Sequence, residues 1–191
     1  MKPSIVPYIL RQFPDMTGPE VGFLREFIRP GCRVWEWGSG GSTLWLLSQG
    51  CHVTSIEHMK LSYDLLLLGL SQAYLMNGED QSYRGPITEM LDLRYVPAAE
   101  AYNDGGEDDG TREHFTAYVD SFPGGNVDVV LVDGRARMAC LDRLRRTLPR
   151  PSPGLSSNVP VLLHDAHRFD YSAVAQKVNG VGALHHLRFL P

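Results

Sequence analysis

Four apolar runs in this chain end on residues able to do chemistry: Glu36-Trp37-Gly38-Ser39-Gly40-Gly41-Ser42-Thr43, Glu57-His58, Asp133-Gly134-Arg135 and His164-Asp165. In the first, a carboxylate and a glycine-rich turn precede Leu44-Trp45-Leu46-Leu47, which reads as the start of a helix. Glycines let backbone approach a ligand closely, and a helix start offers unpaired N–H groups. Glu36, Trp37, Gly38, Ser39, Gly40, Ser42 and Thr43 are therefore expected to bind a nucleotide-type ligand. Thr43 or Ser42 should cap the helix and Gly50 should close it. Glu57 follows the first glycine by about twenty residues, where a nucleotide fold places a carboxylate whose two oxygens accept from ribose hydroxyls. His58 and Asp133 join the same set. His164 and Asp165 are the candidates for moving a proton, with His167 and His58 behind them. A histidine there is equally suited to being a packed, hydrogen-bonded residue.

These groups need elements that bring them together. Arg33–Trp37, Cys51–Ile56, Leu93–Val96, Val127–Val132 and Pro160–Leu163 read as strands, with a final one at Val181–Leu190. Val127–Val132 is apolar throughout except for Asp128, a pattern that belongs in a parallel sheet covered on both faces. Thr17-Gly18-Pro19-Glu20 fits a capping box, and Val21, Leu24, Phe27 and Ile28 follow on one helical face until Pro30-Gly31. Lys60–Met76 reads as a buried Leu-rich helix with Gly78 after it, His114–Phe122 as a short helix, and Tyr171–Val178 as another. Met138, Leu141, Leu144 and Leu148 have helical spacing, with Arg143, Arg145, Arg146 and Arg150 off that stripe as a solvated face. The reading is a doubly wound α/β domain with a mostly parallel sheet. In such a sheet ligands bind beyond the carboxyl ends of the strands, where the strand order reverses.

The 191 residues make one domain, with an irregular lead-in at 1–16, an acidic surface loop at 97–112 and a Pro/Ser loop at 149–158. A net charge of -4 argues against a nucleic-acid partner, since phosphate contacts need a basic surface. No apolar run approaches membrane-spanning length, so no membrane partner is expected. Cys32, Cys51 and Cys140 form neither a metal-ligand spacing nor an even disulfide set and read as reduced, buried thiols. Met1–Leu10 carries two prolines and no sustained apolar segment. A cytoplasmic protein is expected, or one whose delivery signal has been removed.

Glu36-Trp37-Gly38-Ser39-Gly40 resembles the acidic-x-Gly-x-Gly signature of class I S-adenosylmethionine-dependent methyltransferases, with Ser42 in place of the usual third glycine. Ser-Ile-Glu-His, Leu-Val-Asp-Gly-Arg-Ala-Arg and Leu-Leu-His-Asp extend the likeness over roughly residues 18–175, to a subgroup of that family. The resemblance implies a Rossmann-like methyltransferase fold, S-adenosylmethionine as cofactor, and methyl transfer to an unidentified small-molecule acceptor. It also implies that the first turn cradles the amino-acid part of the cofactor. The short stretch after Asp165 leaves room for six strands, with the family's seventh missing or reduced. Some small-molecule O-methyltransferases of that family hold a divalent cation with an Asp after strand four and an Asp-Asn or Asp-Asp pair after strand five. Asp133 matches the first position, but the second reads His164-Asp165, and no metal ligand is assigned. Two other readings stand beside this one. An NAD(P)-dependent oxidoreductase would use the same turn, although Thr43 occupies the sixth position of the dinucleotide fingerprint, where glycine belongs. A cofactor-binding or scaffold protein would keep the fold without turnover.

Overall fold

A computed structural model of the chain describes residues 14–76, 87–102, 109–148 and 159–190. The lead-in at 1–13, Gly78, the centre of the acidic loop at 103–108 and the Pro/Ser loop at 149–158 lie outside the described residues.

Seven strands form one sheet: β1 Arg33–Trp37, β2 His52–Glu57, β3 Leu91–Tyr95, β4 Val129–Val132, β5 Val161–Leu163, β6 Ala175–Val181 and β7 Leu184–Phe189. Their spatial order is β3-β2-β1-β4-β5-β7-β6. β1, β2, β3, β4 and β5 run parallel, while β7 pairs antiparallel with both β5 and β6. The order reverses between β1 and β4, so the crevice expected of a doubly wound sheet opens above those two strands.

The described helices are α1 Gly18–Arg25, α2 Gly41–Ser48, α3 Lys60–Met76, α4 Ile87–Met90, α5 Thr116–Asp120 and α6 Arg137–Thr147. Strand alternation divides the core in two. Trp35, Trp37, Val130, Val132, Val161 and Leu163 face Phe115, Tyr118, Phe122, Leu141 and Leu144 from α5, α6 and their flanks. Val34, Val129, Leu131 and Leu162 face Val21, Phe23 and Leu24 of α1 and Trp45, Leu46 and Leu47 of α2. Both faces of the central strands are therefore largely dry, which is why β4 and β5 read as unbroken apolar runs, while β1 is interrupted by the buried Glu36. Among the described residues no helix is long and apolar enough to cross a membrane.

Among the described residues the expected six strands are in fact seven. Tyr171–Val178, read as a helix, contains turns and the start of β6. That strand lies at the sheet edge with Gln176, Lys177, Val178 and Asn179 exposed, and an irregularity between Lys177 and Asn179 breaks its register. An exposed edge strand has no inward face to write a period-two pattern, so the sequence carries no strand signal there. Gly182, at φ +56°, turns the chain straight into β7. The capping box at Thr17 is present as expected: Thr17 N–H donates to Glu20 Oε2 at 2.7 Å, and Glu20 N–H donates to Thr17 Oγ1 at 3.4 Å.

Candidate functional site

Above the carboxyl ends of β1, β2, β4 and β5 lies a cavity of about 770 Å³. Two tight turns form its floor. The turn after β1 carries Gly38 at φ +94°, and a Cβ there would lie 2.6 Å from the Gly134 Cα in the turn after β4. Gly38 is thus required by the meeting of two backbones at the switch point. Gly40 differs, because a Cβ on it would meet nothing within 4 Å. It borders the cavity and leaves room for a ligand.

Beneath this turn is a hydrogen-bonded hub. Glu36 is fully buried, and its carboxylate accepts from Ser42 Oγ at 2.6 Å, Thr43 Oγ1 at 2.5 Å and Ser55 Oγ at 2.6 Å. Burial pushes its pKa up to about 7, against the pull of those three hydroxyls. Ser55 Oγ also lies 2.6 Å from Ser39 Oγ. Neither Thr43 nor Ser42 caps α2 as expected. Gly40 is the N-cap, and its N–H donates back to Thr43 Oγ1 at 3.0 Å, while Gly50 closes the helix at φ +79°.

Glu57 is tied to the same turn. Its Oε2 accepts from Ser39 N–H at 3.0 Å, and its Oε1 from the N–H groups of His58 and Met59 at 2.8 and 2.7 Å. Two bonds fill Oε1, so Oε2 is the oxygen with capacity for a ligand hydroxyl. The His58 ring borders the cavity and stands edge-on to Phe115 and Tyr118.

Across the cavity, His164 Nδ1 lies 2.7 Å from Asp133 Oδ1. Burial disfavours the charged ring, yet the hydrogen bond to Asp133 and the charges of Asp133, Asp165 and Glu20 outweigh it, and the His164 pKa is raised. Asp165 sits at φ +53°, a conformation costly for a residue with a Cβ. Its Oδ2 accepts from Arg168 Nη1 at 3.0 Å and Arg137 Nη2 at 3.3 Å. Burial raises the Asp165 pKa, but His164 and the two arginines reverse this, and the net shift is downward.

Of the residues expected to bind ligand, the structure brings Gly38, Ser39, Gly40, Ser42, Glu57, His58, Asp133, His164 and Asp165 to one cavity. It does not bring Glu36, Trp37 or Thr43 there. Glu36 and Thr43 are buried beneath the turn, and Trp37 is core, its indole N–H donating to the Tyr118 carbonyl at 3.0 Å. These three shape the site from below. His167 is exposed and outside the lining. Among the described residues, no group of three or more His, Cys, Asp or Glu is arranged to hold a metal ion.

Sequence reasoning missed Asp15, Glu20 and Arg137, which also border the cavity. Arg137 is almost wholly buried: its Nη1 donates to Asp109 Oδ1 at 2.8 Å and its N–H to Asp109 Oδ2 at 2.7 Å. Glu20 Oε1 accepts from Ala183 N–H at 2.6 Å, joining α1 to the β6–β7 turn. The capping box marked Glu20 as a helix residue, and Arg137 closes the Leu-Val-Asp-Gly-Arg-Ala-Arg motif, but neither signal assigned a side chain to the site.

No known family profile matches this chain, and no curated protein matches it in sequence. Solved structures do match. A methyltransferase-like protein from Silicibacter pomeroyi superposes with a TM-score of 0.57 at 20% identity, over 94% of this chain and 92% of that one. The fold is the Rossmann-like methyltransferase fold. An RNA methyltransferase from Salinibacter ruber in complex with S-adenosyl-L-homocysteine shares it, with a TM-score of 0.52 at 14% identity over 93% and 94% of the two chains. A mutant of MtNAS in complex with S-adenosylmethionine shares it too, with a TM-score of 0.51 at 13% identity, over 91% of this chain and 60% of that one. On the methyltransferase fold, the cavity described above occupies the switch point of the sheet.

Proposed function

We propose that this cavity binds S-adenosylmethionine and that the protein transfers its methyl group to a small-molecule acceptor. The observation that carries this reading is the wall of the cavity: Asp15, Glu20, Glu57, Asp133 and Asp165 against Arg135 and Arg137. A predominantly acidic hollow suits a ligand with a sulfonium and an ammonium. The same wall repels polyphosphates, which weighs against a nucleic-acid acceptor and against a dinucleotide. The side chains present fit the cofactor. Ser39, Gly40 and Ser42 would hold its amino-acid end over the open Gly40, and Glu57 Oε2 would accept from the ribose.

When bound, this cofactor supplies an electrophilic methyl carbon on sulfur. The chain's own contribution is to orient the acceptor, exclude water and receive a proton when the acceptor nucleophile carries one. Expectation had left His164 and Asp165 as alternatives for that proton, and the contacts favour His164. Asp165 is engaged by two arginines and held in its ionised form, so its basicity is low. Asp133 accepts from Nδ1–H of neutral His164, which leaves Nε2 with its lone pair as the basic atom. Asp133 is on this reading a positioning residue for His164 as well as part of the cofactor wall.

Isothermal titration calorimetry with S-adenosylmethionine, S-adenosylhomocysteine and NAD tests the binding step. Heat with the first two and none with NAD is expected. A protein that takes up NAD and neither adenosyl ligand overturns the reading. Turnover is read from homocysteine-coupled release across an acceptor library, and binding without turnover would identify the non-catalytic alternative.

A further inference from the structure

At the amino ends of the strands, opposite the cavity, two sulfur atoms meet. Cys32 immediately precedes β1 and Cys51 immediately precedes β2, and the register pairing Arg33 with His52 sets them side by side. His52 N–H donates to the Cys32 carbonyl at 2.8 Å, so the ladder continues through the pair. Neighbouring strands lie about 4.8 Å apart, inside the Cα separation of roughly 4.4–6.8 Å that a disulfide spans. Their Sγ atoms are 3.3 Å apart. Cys140, the remaining thiol, is buried in the other half of the core, its Sγ directed at the Arg135 carbonyl at 3.8 Å.

We propose that Cys32 and Cys51 are a redox-active pair that closes to a disulfide when the protein meets hydrogen peroxide. With Cys32 ionised, the Cys51 S–H donates to it and stabilises the thiolate against the cost of burial, which holds the Cys32 pKa below the ordinary thiol range. The thiolate attacks one peroxide oxygen. The S–O bond forms, the O–O bond breaks, and the departing hydroxide takes up the Cys32 proton as water. The Cys51 sulfur then attacks the Cys32 sulfenic acid. An S–S bond forms, the S–O bond breaks, and the hydroxide leaves with the Cys51 proton as a second water. Two thiols lose two electrons, and one peroxide is reduced to two waters.

Both thiols are buried, Cys51 completely, but they lie beneath an exposed turn. Pro30, Gly31 and His52 beside them are exposed, so local opening of the Pro30–Gly31 turn is enough to admit a small neutral oxidant. The bond would tie the ends of the β1–α2 unit into a ring on residues 32–51. That ring contains the whole segment from Glu36 to Thr43, linking thiol state to the stability of the cavity floor.

Intact-mass analysis of the full chain after millimolar hydrogen peroxide tests the pair. A loss of 2 Da is expected, with a Cys32–Cys51 cross-linked peptide in a non-reducing digest. Iodoacetamide-reactive thiols in denaturant should fall from three to one and return to three after dithiothreitol. Cys140→Ala should keep the 2 Da loss, while Cys32→Ala and Cys51→Ala should each abolish it. Additions of 16 or 32 Da without a 2 Da loss, a cross-link to Cys140, or a disulfide between two chains would each overturn the proposal.

Discussion

Glu36 and His164 both carry pKa values moved from their ordinary range, and the two shifts lead to different experiments. Glu36 is the acceptor for three hydroxyls in a fully buried hub. Glu36→Ala leaves Ser42, Thr43 and Ser55 without that acceptor and is expected to cost about 2–4 kcal/mol in urea unfolding. Because its folded pKa is raised from 4.5 to about 7, its stabilising contribution is fully present below pH 4.5 and lost as pH rises through 7. Glu36→Gln, neutral throughout, should flatten the stability slope over that window, and an unchanged slope would point to another group. His164 is raised above its ordinary 6.5, so it is a base only on the alkaline side of that value. In Asp133→Asn the counter-charge is gone and burial remains, so the midpoint should fall in an NMR titration of the His164 ring. A midpoint that does not move would dissolve the pairing. At this scale the sequence was legible wherever a polar residue directly follows a buried strand, as Glu57, Asp133 and His164 do. Arg137 and Glu20 stood in sequence motifs, but their place at the site was not legible, because their partners Asp109 and Ala183 are brought near only by the folded chain.

Elements explain why two glycines of one turn differ in what they tolerate. Gly38 faces the Gly134 backbone at φ +94°, so Gly38→Ala forces apart the turns after β1 and β4 and should destabilise the fold by roughly 2–4 kcal/mol. Gly40 has φ 175°, an extended conformation open to any residue, and its Cβ direction is empty. Gly40→Val should therefore leave the thermal midpoint within a few degrees of wild type while reducing cofactor affinity at least tenfold, read by differential scanning calorimetry and titration calorimetry together. Equal losses of stability in the two variants would mean that the turn acts only as a structural hinge. The parallel core strands, α1 and α2 were legible because their apolar patterns are written by burial, whereas α3, read as a buried helix, leaves Leu61, Leu67 and Leu68 exposed. The β6–β7 hairpin was not, since its identity rests on pairing with β5 and on the Gly182 turn, neither of which leaves a period in the sequence.

Across the whole molecule, strand ends from both halves of the sheet deliver carboxylates to one hollow, Glu57, Asp133 and Asp165 among them. Asp15 shows the resulting field: burial and the neighbouring charges of Asp133 and Asp165 raise its pKa, with His164 opposing. A cation entering this cavity relieves that repulsion, and a neutral ligand of nearly the same shape does not. S-adenosylmethionine carries a net positive charge and S-adenosylhomocysteine carries none, so the pair isolates the electrostatic part of recognition. Raising salt from about 0.05 to 0.5 M shortens the screening length from beyond 10 Å to well under it. The affinity for S-adenosylmethionine should then weaken several-fold, while that for S-adenosylhomocysteine changes by less than about twofold. Calorimetry at the two salt concentrations reads both. If the ligands respond alike, the acidic wall is structural, balanced by Arg135, Arg137 and backbone N–H groups, and cofactor recognition rests on shape and hydrogen bonds alone.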